Sequence, residues 1–379
     1  MTAPPGDVGV GVGHLYVHLP FCAHRCGYCD FVTLVGRPEQ HARYVDALLG
    51  ELELERSFLR EPLDTIFFGG GTPTFTEPAA LRRLLEALPS ASEVTIEANP
   101  ETVTPELAKL LVGRGVTRVS LGVQTFQPRL LEVLERRAQP DDVRRAVYHL
   151  RDAQIDNISL DLIYGIPGQE PSDLERDLDE ALALEPDHLS CYELEAKPGT
   201  RFTHAYGDEL ARQGEAMEGY FERVVERLVA AGYRWYETAN FCRPERRSRH
   251  NLGYWLGRDY LGLGIGAVTT VAGLRWRNAP SLGGYLGAIE GGRAPARELE
   301  PIDASTRSRE RLMLGLRLDE PVPFVDVAGA VNAEALLRLE RLRLVERPPG
   351  GLILTRRGRF LGGAVTVELL KESLEMATL

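Results

Sequence analysis

Between Leu15 and Glu193 short β-type runs alternate with longer helical patterns, and this alternation restricts the fold more than any other feature. The predicted strands are Leu15–Leu19, Thr65–Phe68, Val94–Glu97, Arg118–Gly122, Ile158–Ile163 and His188–Glu193. Each is rich in Val, Ile, Leu or aromatics, as a strand buried on both faces should be. Predicted helices lie between them at Glu39–Leu59, Glu77–Leu88, Pro105–Gly113, Asp141–Gln154 and Ser172–Leu184. In the first, Tyr44, Val45, Leu48, Leu49 and Leu52 recur at helical spacing. Thr104 before Pro105, and Pro171 before Ser172, read as helix starts. Six strands separated by helices imply parallel pairing through right-handed crossovers. Six are too few for a complete eight-fold barrel. The predicted class is therefore α/β, a partial (βα)6 TIM-like barrel.

A long helical stretch, Glu209–Ala231, follows the last strand, and beyond Gly232 the pattern changes. Residues 246–255 are polar and aromatic, and 260–270 are glycine-rich. From about Ser305 a compact unit is expected: helices Thr306–Gly315 and Asn332–Arg341, then a hairpin. Its arms, Leu344-Val345 and Leu352-Ile353-Leu354, would pair around Pro348-Pro-Gly-Gly351. This reads as a small α+β winged-helix-like domain. The expected organisation is a flexible N-terminus over 1–13, a barrel over 14–235, a connecting segment over 236–300 and the C-terminal domain over 301–379. No repeat of solenoid period is present.

The 379 residues are 44% hydrophobic and 26% charged, an ordinary globular composition. No run of 18 apolar residues and no signal-peptide pattern occurs, which points to a cytoplasmic protein. A formal charge of −11 argues against broad nucleic-acid binding. The local basic run Arg243–Arg249 reads as a solvated loop. In the C-terminal unit acidic and basic residues nearly balance, so packing or a protein partner is expected there rather than DNA.

Five cysteines do not make a disulfide framework in such a chain. Three of them crowd into Phe21-Cys22-Ala-His-Arg-Cys26-Gly-Tyr-Cys29-Asp30-Phe31. Iron–sulfur cubanes normally take four thiolates. Cys22, Cys26 and Cys29 supply three, which would leave one iron open, as a catalytic zinc keeps an open position. The segment directly follows the first strand and should lie at the C-terminal mouth of the barrel, where barrel enzymes place chemistry. A zinc site completed by His24, His18 or a distant Cys is the alternative, as is a chance cluster of thiols. Cys191 and Cys242 read as buried or incidental thiols.

The second strand ends in Gly69-Gly70-Gly71-Thr72-Pro73. Glycines let the backbone approach a ligand closely, and no Gly-Lys-Ser/Thr follows to make a P-loop. Polar residues recur at later strand ends: Glu97, Gln124 and Asp161. Burying such groups without partners costs a few kcal/mol each, on the order of 1–3. Either a shared polar ligand or a structural network inside the barrel would explain them.

The Cys-x3-Cys-x2-Cys spacing and the triple glycine resemble those of radical-SAM proteins. In that superfamily the amino and carboxylate groups of S-adenosylmethionine (SAM) chelate the open iron, and an electron from the cluster cleaves a carbon–sulfur bond. From Leu15 to about Leu370 the chain resembles the branch containing oxygen-independent coproporphyrinogen III oxidase and the HemW-type heme chaperones. The resemblance implies that Cys22, Cys26 and Cys29 hold a [4Fe–4S] cluster. It also implies that Tyr16, Gly70, Gly71, Thr72, Glu97, Gln124, Arg136 and Asp161 contact SAM. Glu135-Arg-Arg137 could equally be a plain helix end.

Two departures favour the chaperone branch. The oxidases have a fourth cysteine where this sequence has Phe31, so oxidase activity is not expected. They also carry a longer segment before the first strand, and only 14 residues precede Leu15 here. A third feature is His250-Asn251-Leu-Gly-Tyr254-Trp255, similar to the HNxxYW-type segment of the chaperones. Imidazole is a common heme ligand, so His250 is the expected heme contact, with His24 and His204 as weaker candidates. Read without the family, His250 is a loop or capping residue. Lys197 stands where relatives often have Glu. The resemblance implies heme delivery to acceptor proteins such as respiratory heme proteins at a membrane surface, and a cluster-dependent homodimer by analogy. The rival expectations are a radical-SAM coproporphyrinogen oxidase and an iron–sulfur sensor whose C-terminal unit binds nucleic acid.

Overall fold

The computed structural model describes residues 11–195 and 201–371. Most of the expected flexible N-terminus, and Lys197, lie outside them. Six parallel strands follow one another across the sheet in chain order: β1 (His14–Leu19), β4 (Leu63–Gly70), β5 (Ala91–Ala98), β6 (Arg118–Gln124), β7 (Asn157–Tyr164) and β8 (His188–Glu193). The short pair β2 (Phe21–Cys22) and β3 (Leu34–Val35) brackets the cysteine loop outside this sheet. The main sheet is completed at one edge by β11 (Leu261–Leu263), parallel to β1. At the other edge β9 (Arg234–Trp235) and β10 (Asn240–Cys242) form an antiparallel hairpin on β8. Residues 236–300, expected as a connecting segment, thus add two strands to the sheet. They also form an antiparallel meander of β12 (Val268–Val271), β13 (Leu274–Asn278) and β14 (Arg297–Pro301).

The strands are buried on both faces, but the inner face is polar. Leu15, Val17, Leu19, Ile66, Phe68, Val119, Leu121, Ile158 and Leu160 join the core under the helices. The alternate residues, including Tyr16, His18, Glu97, Arg118, Ser120, Ser159 and Asp161, form the second set. The period-2 geometry of a strand sorts the two sets. The apolar reading of both faces is corrected in this respect.

The surrounding helices are α1 (Pro38–Glu55), α2 (Pro78–Ala87), α3 (Pro105–Gly113), α4 (Pro128–Val133), α5 (Pro140–Asp152) and α6 (Pro171–Ala183). All six begin on proline, whose fixed φ suits the first helical turn and whose missing N–H would be unbonded there anyway. Thr104 caps α3 by accepting from the Leu107 N–H at 3.2 Å. In α6 the first helical residue is Pro171, not Ser172, and the Glu170–Asp173 pair forms the capping box. The single helix expected over 209–231 is two, α7 (Arg201–Gln213) and α8 (Met217–Ala230), broken at the turn Gly214–Ala216. Glycine's low helix propensity accounts for the break. α9 (Arg249–Trp255) packs on β4, and α10 (Leu282–Glu290) packs on α1.

The C-terminal unit has the expected order. α11 (Ala304–Gly315), β15 (Val322–Pro323), α12 (Phe324–Val327) and α13 (Ala333–Arg341) precede the hairpin of β16 (Val345–Glu346) and β17 (Gly351–Leu354). α14 (Arg356–Phe360) and α15 (Gly362–Leu369) follow. Leu312, Val322, Leu336, Leu339, Leu352 and Val365 give it a core of its own. Ion pairs Arg317–Glu237 and Arg234–Asp319 tie it to the barrel edge. The basic run 243–249 is a loop up to Ser248, the cap of α9, and is held down by Arg246–Asp187 and Arg247–Glu320.

Candidate functional site

Cys22 ends β2, and Cys26 and Cys29 sit on the following turn, where the Cys29 N–H donates to the Cys26 carbonyl at 3.2 Å. The loop leaves β1 at the C-terminal end of the parallel strands, where Gly70–Thr72, Glu97 and Gln124 also end their strands. Cys22 is buried and the other two are partly exposed. Burial pushes the Cys22 thiol up to about 11 and raises Cys29 as well. Among the described residues no three His, Cys, Asp or Glu side chains converge as a single-ion site. A cubane takes each thiolate at a different iron, and three cysteines on one loop are a donor set of that kind. Donors already face the sulfurs. Thr72 Oγ1 donates to Cys22 Sγ at 3.5 Å, and Arg136 Nη1 to Cys26 Sγ at 3.6 Å.

Arg136 is held by the Gly122 carbonyl at 2.6 Å and by Asn99 Oδ1 at 3.0 Å, while its Nε is buried without a partner. A cation fixed beside thiolates offsets their charge, and an unsatisfied donor fits a further acceptor at this place. Asn99 is thus a positioning residue that the sequence did not single out.

The glycines are required by close approach. Gly70 has φ +112, and a Cβ there would stand 2.5 Å from His18 Cε1. A Cβ on Gly71 would meet the Pro20 carbonyl oxygen at 2.5 Å. The Gly71 and Thr72 N–H groups instead bond Leu19 and Phe21 carbonyls at 2.8 and 2.9 Å, lacing the cysteine loop to β4. The Gly70 N–H donates to Glu97 Oε2 at 3.3 Å. Gln124 lies at a register shift in β6 with φ +71.

Glu97 and Asp161 differ in how they are satisfied. Asp161 accepts from Ser120 at 3.1 and 3.0 Å and from Ser159 at 3.4 Å. Register places Ser120 beside Ser159 and Asp161 beside Ser190, so neighbouring strands present a row of hydroxyls. Burial, then the Asp161 charge, pushes Glu97 up to about 8. Burial also raises Asp161. Arg118, 1% exposed, supplies the buried positive charge that partly offsets both. A basic residue opening the apolar run Arg118–Gln124 was its only sequence signal. Tyr16 hydroxyl pairs with His18 Nδ1 at 3.1 Å, and His18 Nε2 faces the Val32 carbonyl at 2.8 Å.

His250, on α9, packs against β4. It is 1% exposed; Nδ1 pairs with Thr65 Oγ1 at 2.7 Å and Nε2 with the Tyr254 hydroxyl at 3.0 Å. Its ring stacks on Phe67 with centroids 5.0 Å apart. Burial holds its pKa down at about 3. Both ring nitrogens thus face hydroxyls, and a heme contact through His250 would require the Thr65 or the Tyr254 hydroxyl to turn away. Tyr254, four residues on, lines a cavity of about 300 Å³ with Tyr16, Tyr260, Asp30 and Phe31. His24 lies 4.0 Å from Glu135, and His204 sits exposed on α7.

The Radical SAM superfamily model matches residues 16–181, and the HemN C-terminal domain model matches 302–361. The heme chaperone HemW of Mycobacterium tuberculosis (strain CDC 1551 / Oshkosh) is 36% identical over 370 residues, covering 94% of each chain. The chain belongs to the HemW family. The Bacillus subtilis (strain 168) heme chaperone HemW is 34% identical, over 94% of this chain and 99% of its own. Among solved structures, the Escherichia coli radical SAM enzyme coproporphyrinogen III oxidase (HemN) matches with a TM-score of 0.79. That match covers 94% of this chain and 90% of the oxidase at 22% identity, a likeness of fold. The HemW-family chain thus has the radical-SAM fold and a HemN-type C-terminal domain. No helix among the described residues is long and apolar enough to cross a membrane.

Proposed function

We propose that this chain binds heme together with a SAM-associated [4Fe–4S] cluster and hands the heme to acceptor proteins. The supporting observation is near full-length identity of 34–36% to proteins named heme chaperones. In this reading Cys22, Cys26 and Cys29 hold the cluster. Arg136 and Thr72 orient toward the sulfurs. Gly70, Gly71, Glu97, Gln124, Tyr16 and Asp161 line the place for SAM. When bound, the cluster supplies one-electron chemistry. The chain's own residues hold the loop against β4, keep a neutral carboxyl at Glu97 and present a fixed guanidinium. A cytoplasmic location and acceptors among respiratory heme proteins, at the membrane surface, belong to the same reading. So do a domain organisation of barrel plus C-terminal unit and a cluster-dependent homodimer.

Phe31, 65% exposed, occupies the position of the oxidases' fourth cysteine, which favours the chaperone over the oxidase. Reduced, cluster-loaded protein incubated with SAM and coproporphyrinogen is expected to yield no protoporphyrinogen. Hemin added to the same preparation is expected to give a stoichiometric Soret shift and to move to an acceptor apoprotein. Formation of protoporphyrinogen, or failure to take up hemin, would defeat the proposal.

A further inference from the structure

A buried polar chain crosses the barrel interior from Asp161 to the start of α9, and none of the proposed roles uses it. Register sets Ser159 on β7 beside His188 on β8. The Ser159 hydroxyl lies 3.4 Å from Asp161 Oδ1 and 2.9 Å from His188 Nδ1. His188 Nε2 stands 2.8 Å from the Tyr236 hydroxyl, to which the Ser248 N–H donates at 3.4 Å. Ser248 caps α9 by accepting from the Asn251 N–H at 3.3 Å. Glu93 accepts from the next two N–H groups, of Arg249 and His250, at 3.0 and 3.1 Å. Ser159, His188, Tyr236 and Ser248 are all 0% exposed, so bulk water cannot replace a missing partner.

The chain has one direction. Burial, then the Arg118 charge, holds the His188 pKa well below the ordinary imidazole value, so the ring is neutral and carries a single N–H. An amide N–H only donates. Among the described residues the Tyr236 hydroxyl meets Ser248 N and His188 Nε2, so its hydrogen goes to Nε2. Nε2 is therefore bare, and the Nδ1–H donates to Ser159 Oγ. The Ser159 hydrogen then goes to the Asp161 carboxylate. Every donor points toward Asp161, and the amide at the far end bars reversal. The chain holds its members in place and does not conduct protons.

We propose that His188 and Tyr236 are positioning residues that link Asp161 to α9, so that SAM bound at the mouth tightens the start of that helix. The proposal rests on the reading of Asp161 as a SAM contact and gives it a long-range consequence. A ligand that engages Asp161 fixes the acceptor at the head of the chain, and such linkage is reciprocal. α9 carries Tyr254 into the wall of the cavity beside Tyr16 and Phe31, so the chain lets the SAM site shape that wall.

Tyr236→Phe removes one hydroxyl and keeps the ring; Ser159→Ala cuts the chain nearer Asp161. Hydrogen exchange of residues 248–255 is measured in cluster-loaded wild type and both variants, without SAM and at saturating SAM, with thermal melts confirming that each folds. SAM is expected to slow exchange at least fivefold in wild type and less than twofold in the variants. 15N spectra of histidine-labelled protein, with His188 assigned through His188→Gln, are expected to show a bare Nε2 and a protonated Nδ1. Wild-type exchange indifferent to bound SAM, an equal SAM effect in the folded variants, or a hydrogen on Nε2 would each overturn the link while leaving SAM binding intact. Failure of wild type to bind SAM in equilibrium dialysis would overturn the reading of Asp161, and this proposal with it.

Discussion

Glu97 gives a direct test of how the barrel interior handles charge. Its carboxyl is held at about 8, against an ordinary 4.5, by burial and the Asp161 charge. Between those values the folded protein keeps a proton that the unfolded chain has released, so stability falls as pH rises. At 1.36 kcal/mol per pKa unit the loss is about 3 kcal/mol by pH 7 and about 5 kcal/mol once pH passes 8. Glu97 keeps part of its surface at the open barrel mouth, so these figures are ceilings. Glu97→Gln retains an acceptor for the Gly70 N–H and removes the titration. Urea unfolding of cluster-free protein, followed by circular dichroism from pH 5 to 9, measures the difference. The variant is expected to gain on wild type as pH rises from 5 to 8 and to level off above. A difference that stays constant across that range would refute the reasoning.

Gly71→Ala places a methyl 2.5 Å from the Pro20 carbonyl oxygen and must displace the cysteine loop. Iron bound per chain after anaerobic reconstitution is expected to fall by at least half while the melting temperature changes little. Glu51, fully buried, accepts from the Gly264 N–H, Asn278 Nδ2 and the Tyr285 hydroxyl at 2.7 Å each. Glu51→Ala strands three donors, and a loss of roughly 3 kcal/mol or more is expected in chemical denaturation. Glu51→Gln should cost less, because burial already pushes this carboxyl up to about 7. His250→Ala is expected to lower the melting temperature by stranding the Tyr254 hydroxyl and leaving Thr65 with His14 alone, yet to leave hemin affinity within twofold of wild type. A tenfold loss in a folded variant would return His250 to the heme site.

The barrel was legible in the sequence because each strand carries an outward apolar stripe, and the prolines mark where the helices begin. The cysteine loop and triple glycine were equally legible, since both are local in sequence. The contacts that complete the site were not. Asn99 reaches Arg136 across 37 residues, and Ser120 reaches Asp161 across 41. Such pairs are fixed by strand register and by the packing of distant loops, which a single sequence does not carry. The surroundings of His250 were hidden for the same reason: its partner Thr65 lies 185 residues away. A polar residue beside aromatics looks alike in a ligand pocket and in a satisfied core. The split of α7 from α8 depends on one glycine that helical periodicity alone does not register.

The central claim is a cubane held at three corners by Cys22, Cys26 and Cys29, with the fourth iron open to SAM. Mössbauer spectra of 57Fe-reconstituted protein, taken without and with SAM, test it most directly. One iron in four is expected to change its isomer shift and quadrupole splitting when SAM is added, and Cys29→Ala to abolish the cubane. A cluster-free spectrum from wild type, or four irons indifferent to SAM, would contradict the account.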